Sequence, residues 1–582
     1  MTDRPHSTTE DTTSGIRTPS PTIYPADQQR QRIASDDSED FDQYAEKCTT
    51  SDEDEEPEEQ EIQHRYLTFD TDVPLPISVT TARPHHNVEP PPQPDLSKYT
   101  SPFDWSPKRK NMIIWISCVI TCLTAFTAGA YSPGVPQMTQ EWGISNVAAL
   151  VGITMFTSGF AIAPMVLAPF SEIRGRRPVF IISGLLFVLC QLCTGLTQSY
   201  AGMLVVRFIA GVGGSTFSTM VGGVISDIYH TADRNTPMAL FSGAALFGTG
   251  FGPLISGFIA QNLNWRWIFY IQTIVDGIMV AVIILTFQET RGSVLLSRKA
   301  AALNTYYDSL ESAGYSSALL FPSPTTTSSS FSSTTTSPPT PLPQRIRWLC
   351  KSDTSLTSLS KMISLSLYRP FHLLFTEPVV FFFSLWVSFS WAVLYLTLAA
   401  IPLVYQRAHN FSLQTSNAVF GALCLGAAFA TVLSIYQESY LTVLTRLYFS
   451  CIESLCLPLG LFLFGWTSAD DIHWIVPALG ISIATVGIFS IYLSVFNYLA
   501  DTYHRYASSA LASQSFCRNI LGGAFPLITT QMYNKLGFGE ASSLLGGIGL
   551  LLTLVPWVLV FYGPKIRARS KFASEIMSGN VD

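Results

Sequence analysis

The sequence predicts an all-α membrane protein whose twelve transmembrane helices form two bundles of six. Its 582 residues are 48% hydrophobic and only 13% charged, whereas a soluble protein carries about 25% charged residues. From Asn111 onward, apolar runs of about 20 residues recur, and each is long enough to cross a hydrocarbon core of about 30 Å as a helix. A long polar gap after the sixth run separates the two predicted bundles.

The twelve runs define the predicted spans, which fall into two groups. The first group comprises residues 111–132, 148–170, 178–197, 201–225, 238–260 and 267–287. The second group comprises residues 378–402, 417–436, 447–466, 474–499, 507–530 and 541–562.

The polar segments complete the predicted domain organisation. Residues 1–107 contain 23 acidic and 8 basic side chains, and they have too few apolar groups to offset the entropy of ordering. We therefore expect a disordered acidic tail that contributes nothing to the membrane core. The other predicted parts are an N-terminal bundle (108–290), a central loop (291–370), a C-terminal bundle (371–563) and a basic tail (564–582).

The central loop contains a tract rich in Ser, Thr and Pro, which runs from Pro322 to Pro341. This composition is typical of a flexible linker. The simplest interpretation is a spacer between the bundles, and the alternative is a platform for phosphorylation.

The positions of lysine and arginine predict the orientation, because cytoplasmic loops retain these residues. After residue 107, 21 lysines and arginines outside the spans lie on the side of the membrane that holds the termini and the central loop. Only three lie on the opposite side: Arg266, Arg407 and Lys535. Both tails and the central loop are therefore predicted to be cytoplasmic. The glycosylation sequon that begins at Asn410 falls in an outer loop.

The loop after span 2 combines one acid and three cations in a tight turn, namely Glu172, Arg174, Gly175, Arg176 and Arg177. The glycine permits the chain to reverse, and the arginines can contact helix ends or acids at the membrane face. Taken alone, the loop is equally typical of a positive-inside stop signal.

Span 4 carries Arg207 about two turns inside the membrane. A buried arginine costs at least about 2.5 kcal/mol on insertion scales, so it normally faces a cavity or a partner. The alternatives are an interhelical salt bridge or a clamp of backbone carbonyls. The neighbouring Gly211 and Gly213 permit close helix packing in either case.

Span 5 has a smooth face of small residues that is interrupted by a proline, and its key positions are Gly248, Gly252, Pro253 and Gly257. Such a helix packs closely and bends at the proline. A generic kinked packing helix is the alternative to a functional motif.

Three further charged residues lie within predicted spans: Asp276 in span 6, Glu453 in span 9 and Arg518 in span 11. Carboxyls within a membrane are natural proton carriers, so both acids are candidates for coupling. Their alternative role is to support the bundle.

These segments together resemble the signature motifs of the major facilitator superfamily, in particular the fungal twelve-span drug:proton antiporters. The loop after span 2 resembles G-x-x-x-D-R-x-G-R-R, with Glu172 in place of the aspartate. The Arg207 segment resembles R-x-x-x-G-x-G, and span 5 resembles the antiporter motif G-x-x-x-G-P-x-x-G-G, with Ser256 in place of one glycine. The resemblance extends over residues 100–573.

The resemblance implies the major facilitator fold, in which two six-helix bundles surround a midplane cavity. It also implies a monomeric, proton-coupled exporter of a small organic compound in the plasma membrane. In such proteins Asp227 would face the arginines of the first loop, and spans 1, 4, 7 and 10 would line the cavity. No obvious acid lies midway along those four spans.

Other classes of protein are not indicated. The sequence lacks a phosphate-binding loop, a nucleophile with an adjacent base, and paired metal-ligand motifs, so we expect no enzyme, no cofactor, no metal site and no nucleic-acid partner. The expected partners are a small-molecule substrate, protons and the lipid bilayer. Two alternatives stay open: an uptake facilitator of the same fold, and a nontransporting sensor whose acidic tail recruits partners.

Overall fold

A computed structural model describes residues 62–71, 73, 91–313, 317–321, 342–351, 359–440, 449–503 and 507–569. The expectations for residues 1–61, for the Ser/Thr/Pro-rich tract and for residues 570–582 lie outside these ranges. Within the described residues the chain is mainly helical, as the apolar runs predict.

The first group of spans forms eight helices, because two of the spans are each divided into a long and a short helix. They are α1 (Pro107–Ala130), α2 (Val135–Trp142), α3 (Asn146–Arg174), α4 (Arg176–Leu196), α5 (Tyr200–Thr219), α6 (Val221–Ile228), α7 (Asn235–Asn262) and α8 (Arg266–Thr286). Serine side chains cap the starts of α3 and α5, where the hydroxyls of Ser145 and Ser199 accept hydrogen bonds from the amides of Ala148 and Gly202.

The central loop and the second group of spans form the remaining helices. They are α9 (Gly292–Ser312), α10 (Leu359–Thr376), α11 (Pro378–Ala408), α12 (Leu413–Ala418), α13 (Phe420–Tyr440), α14 (Cys456–Trp466), α15 (Ile475–Tyr503), α16 (Ala507–Leu536), α17 (Phe538–Leu552) and α18 (Leu554–Arg569).

Eleven helical stretches in the described part of the chain are long and apolar enough to cross a membrane. The remaining predicted span, span 11, is α16, which has 30 residues but is not among the eleven. It is less apolar because Gln514, Arg518 and Asn519 interrupt its hydrophobic sequence. All three side chains are buried, so α16 directs polar groups into the protein interior.

Contacts between helices α1–α8 and α11–α18 occur at both ends of the protein. The pairs α3–α16 and α7–α13 pack across this boundary. At the end that contains Arg176, Asn497 Nδ2 donates to Asn235 Oδ1 over 3.2 Å. Towards the opposite end, which contains Asn410, Ser132 Oγ donates to the Leu398 carbonyl over 2.7 Å. Between these contacts, Arg207 is 0% exposed.

A small sheet joins the N-terminal segment to the central loop. Strand β1 (Gln63–Tyr66) pairs in parallel with β3 (Leu342–Leu349), and β2 (Ala318–Phe321) pairs antiparallel with the other edge of β3. The sheet and α9 enclose an apolar cluster of Leu67, Ala300, Leu303, Tyr307, Leu310, Leu319, Ile346 and Trp348. The expected disorder of the tail is therefore wrong for residues 62–71, because burial of this cluster offsets the entropy of ordering.

Ion pairs close one side of this sheet. Glu311 on α9 accepts hydrogen bonds from Arg345 at 2.6 Å and from Arg347 at 2.8 Å. The bonds from Arg345 are the main reason that the pKa of Glu311 falls from 4.5 to about 2. Since the folded form has the lower pKa, these pairs stabilise the sheet above about pH 4.5, and the effect is lost as the pH falls towards 2.

The sheet predicts different outcomes for two truncations of the tail. A chain that lacks residues 2–61 keeps β1 and Leu67, and we expect its central loop to resist protease as the full-length chain does. A chain that lacks residues 2–73 loses both, which uncovers Ile346 and Trp348, so cleavage in the central loop should accelerate. Limited proteolysis in detergent tests this comparison. Equal cleavage rates in the two truncated chains would show that β1 does not stabilise the loop.

Candidate transport site

Arg207 on α5 lies in a pocket made of aromatic rings and backbone carbonyls. Its guanidinium carbon is 4.8 Å from the ring centre of Tyr131 and 4.6 Å from that of Phe156. Nε approaches the Gly152 carbonyl at 3.4 Å, and Nη2 approaches the Thr127 carbonyl at 3.5 Å. Nη1 has no hydrogen-bond partner among the described residues. The hydrogen bonds from Arg207 to backbone carbonyls are therefore long, and they leave one guanidinium nitrogen without an acceptor among the described residues.

Small residues bring the walls of this pocket together. Gly211, one turn after Arg207, has no room for a Cβ because the Phe156 carbonyl of α3 occupies that position. A Cβ on Gly152 would collide with the hydroxyl of Tyr131. The glycines of span 4 thus permit close packing of α3 and α5, as their pattern predicts, and this packing places Phe156 against Arg207.

A network of buried polar side chains adjoins the pocket. Thr127 Oγ1 donates to Gln272 Oε1 over 2.8 Å, and Gln191 Nε2 donates to Thr127 Oγ1 over 2.9 Å. Gln272 lies one turn before Asp276 on α8, and Asp276 is 1% exposed. Asp276 Oδ2 has no hydrogen-bond partner among the described residues. The candidate acid of span 6 is therefore buried, and one of its oxygens is available to hold a proton.

Arg518 on α16 occupies a second aromatic pocket. Its guanidinium carbon is 4.4 Å from the ring centre of Trp391 and 4.9 Å from that of Tyr492. Nε and Nη1 have no hydrogen-bond partners among the described residues. Tyr395, one turn after Trp391 on α11, lies near the guanidinium groups of both Arg518 and Arg207.

Sequence reasoning did not identify the aromatic residues of these two pockets. Tyr131, Phe156, Trp391 and Tyr395 occur in spans full of aromatic side chains, and tryptophan in such spans is commonly an interfacial anchor. The available signal was the spacing along α11, where Ser384, Ser388, Trp391 and Tyr395 recur at intervals of three or four residues and therefore share one helix face.

Glu453 lies elsewhere. It is partly exposed, and it accepts hydrogen bonds from Gln437 and from Ser490, the latter over 2.7 Å. The depth of Glu453 within span 9 stays a prediction. These hydrogen bonds join Glu453 to α13 and α15, so its carboxylate stabilises the packing of these helices.

The charged loop after span 2 forms a buried network. Arg176 Nε pairs with Asp227 Oδ2 at 3.2 Å, and Arg291 Nη1 pairs with Asp227 Oδ1 at 3.0 Å. Glu172 interacts electrostatically with Arg291. The side chain of Arg177 donates to the Ile284 carbonyl over 3.0 Å. The loop residues are thus brought together with Asp227, except for Arg174, which is exposed.

Glu289 completes this network, although the sequence analysis did not select it. Its Oε1 accepts a hydrogen bond from the Arg176 amide over 2.8 Å, and its Oε2 accepts one from the Arg177 amide over 3.2 Å. The carboxylate therefore caps the N-terminus of α4, where a negative charge is stabilised. Gly175 has φ +99° and directly contacts this carboxylate, so a side chain at position 175 would displace Glu289.

We expect Asp227→Asn to destabilise the protein more than Arg291→Gln. Neutralising Asp227 leaves two guanidinium groups, those of Arg176 and Arg291, without their shared acid, and breaking a buried pair in this way costs about 3 kcal/mol. Arg291→Gln keeps the Arg176–Asp227 pair intact. Thermal unfolding in detergent measures both effects, and equal losses would mean that Arg176 does not depend on Asp227.

The span 5 motif mediates close packing of α7. Cβ atoms on Gly248 and Gly252 would collide with the Cys122 and Phe126 carbonyls of α1, and one on Gly257 would collide with Asn417 of α12. Pro253 packs against α1 at Gly129. The motif therefore permits α7 to touch helices on both sides of the boundary between the two helix groups.

Asn410 is exposed between α11 and α12. Its φ of 53° lies in the left-handed region that asparagine tolerates. Ser412, the third residue of the sequon, caps α12 through a hydrogen bond from the Thr415 amide at 3.2 Å.

Comparison with known proteins finds a family model and several similar proteins. Residues 117–526 match the family model described as Major Facilitator Superfamily. The MFS-type transporter paaT of Penicillium rubens is 34% identical, over 81% of this chain and 82% of that protein. The multidrug transporter mdrA of Aspergillus fumigatus is 30% identical, over 82% of this chain and 74% of that protein. Other fungal relatives are named as efflux pumps or multidrug transporters.

A solved structure provides an independent comparison of the fold. The xylose transporter XylE of E. coli aligns with a TM-score of 0.53 at 15% identity, over 77% of this chain and 98% of that protein. At this identity the similarity concerns the fold alone.

Proposed function

Because the chain belongs to the major facilitator superfamily, we propose that it exports a small organic compound across the plasma membrane in exchange for protons. The family model and the fungal relatives confirm the predicted family, its fold and the drug-efflux group. The chain is thus a multi-pass membrane transporter in a family that is not enzymatic. The finer proposal concerns proton coupling, alternating access and the roles of particular residues.

The observation that carries the proposal is the burial of Arg207 without an acidic partner among the described residues. Arginine does not deprotonate in proteins, so Arg207 itself cannot carry the proton. Its contact with the Thr127 carbonyl connects it to the residue whose side chain binds Gln191 and Gln272. In our proposal, substrate binds at Arg207 and Asp276 takes up the proton, so that occupancy of one site biases the other.

Alternating access requires the contacts at the two ends to open in turn. Opening towards Asn410 would break the Ser132–Leu398 hydrogen bond, and opening towards Arg176 would break the Asn235–Asn497 hydrogen bond. The network of Arg176, Asp227 and Glu289 would hold the helix ends together on the Arg176 side while the other side opens.

The proposed topology places both termini and the Arg176 end in the cytoplasm, with one monomer as the transport unit. Asn410 would then be exposed outside and open to glycosylation. We expect glycosidase to increase the electrophoretic mobility of the wild-type protein and to leave Asn410→Gln unchanged. Protease cleavage of a terminal tag in intact cells would contradict this orientation.

Transport itself is tested with the full chain in proteoliposomes under an imposed pH gradient. Cell extract loaded on one side supplies the candidate compounds, and mass spectrometry identifies those that move. Export predicts movement against the proton flux, whereas an uptake facilitator would move compounds independently of the gradient. No protein-dependent movement under either condition would contradict transport and favour the sensor alternative.

A further inference from the structure

Two buried arginines lack the acidic partners that other buried arginines have. Arg176 pairs with Asp227, and Arg347 pairs with Asp308 and Glu311. In contrast, Arg207 is 0% exposed and Arg518 is 2% exposed, yet neither forms an ion pair with a described acid. Buried charges are strongly disfavoured unless they are paired. Arg207 and Arg518 are therefore two buried positive charges without a paired acid among the described residues.

The helices around Arg518 also present polar atoms without partners. The hydroxyls of Ser384 and Ser388 lie along one face of α11, together with the side chain of Trp391, and both hydroxyls are buried without hydrogen bonds to described residues. On α16, one turn before Arg518, the side-chain Oε1 of Gln514 is also buried without a hydrogen-bond partner among the described residues. Since α11 and α16 pack along each other, these groups belong to one region.

We propose that this region of α11 and α16 is a binding site for the carboxylate of an aromatic organic anion. The inference rests on the proposed function and specifies its substrate class. Arg518 would bind the carboxylate, Ser388 and Trp391 would donate hydrogen bonds, and the rings of Trp391 and Tyr492 would contact the apolar body of the ligand. Tyr395 lies near both this site and Arg207.

The charge of the site discriminates between ligand classes. A carboxylate offsets the cost of burying Arg518, whereas an amine adds a third positive charge to a medium of low dielectric constant. A neutral amide keeps the shape and loses the charge. The proposal therefore predicts that the site binds a carboxylate more tightly than the amide of the same shape.

Three compounds of the same shape provide the test: 1-naphthoate, 1-naphthamide and 1-naphthylmethylamine. Binding to the full chain in detergent is measured by tryptophan fluorescence, and transport is measured in proteoliposomes. We expect the wild type to bind and transport 1-naphthoate in preference to the other two. Arg518→Gln should weaken 1-naphthoate binding about 30-fold, since one partner of a buried charge pair is lost. Binding of 1-naphthamide should change little.

Matched variants separate binding from folding. Arg407→Gln removes an exposed arginine near Asn410 and should leave the carboxylate preference intact. Arg518→Gln removes an unpaired buried charge, so its Tm without ligand should equal or exceed that of the wild type. Should Arg518→Gln fail to fold, Ser388→Ala provides the test, and it should weaken 1-naphthoate binding more than 1-naphthamide binding.

Several results would overturn the inference. Equal wild-type affinity for the carboxylate and the amide would do so, as would an equal effect of Arg518→Gln on both ligands. If the amine or the amide moves under a pH gradient and the carboxylate does not, the substrate class is wrong while the proposed function stands. If no compound moves, in the panel or in cell extract, the proposed function itself fails.

Discussion

Replacing Arg207 with glutamine is expected to abolish proton-driven export while leaving a folded protein in the membrane. The substitution removes a fully buried cation that no described acid neutralises, so it removes a cost to folding together with a binding group. Loss of a buried charge contact with substrate corresponds to a fall in export rate of about 100-fold. Initial rates in proteoliposomes measure this loss, and Tm in detergent reports on folding.

Arg207→Lys and Arg407→Gln complete the experiment. Lysine keeps the charge but lacks the planar guanidinium that lies against Tyr131 and Phe156, so we expect most activity to be lost. Arg407→Gln changes the net charge equally at an exposed position and should transport normally. A purely structural role for Arg207 predicts a lower Tm and retention inside the cell. A stable Arg207→Gln protein with normal export would exclude Arg207 from the mechanism.

Asp276→Asn is expected to uncouple transport from protons without preventing substrate exchange. Asparagine has nearly the same shape but cannot carry a proton, and the Oδ2 atom that it replaces has no partner among the described residues. The variant should therefore exchange labelled substrate across a vesicle membrane at equal pH. Its accumulation under a pH gradient should fall to the uncoupled level, because the proton relay is lost.

Glu453→Gln is the matched control for Asp276→Asn. Both substitutions neutralise an acid within a span, but Glu453 is partly exposed and already accepts hydrogen bonds from Gln437 and Ser490. We expect Glu453→Gln to keep the response to the pH gradient. If Glu453→Gln lost coupling and Asp276→Asn retained it, the assignment of the proton carrier would be reversed.

The sequence by itself determined the membrane class, most of the helix positions and the burial of Arg207. These properties depend on local composition, because an apolar run of sufficient length forms a helix that spans a membrane wherever it packs. The family resemblance also predicted the contact between Arg176 and Asp227, because Asp227 occupies the position that faces the arginines of the first loop. Span 11 was located correctly even though Arg518 and Asn519 make it less apolar than the others.

Only the tertiary structure decided which groups meet across helices. The pairing of Gln63 with Ile346, the cap that Glu289 places on α4 and the rings around Arg207 and Arg518 join residues far apart in the chain. Such contacts depend on how each helix is rotated about its axis and on where glycines permit close approach, and a single sequence specifies neither. Composition therefore determined what lies in the membrane, and packing determined which buried charges are paired.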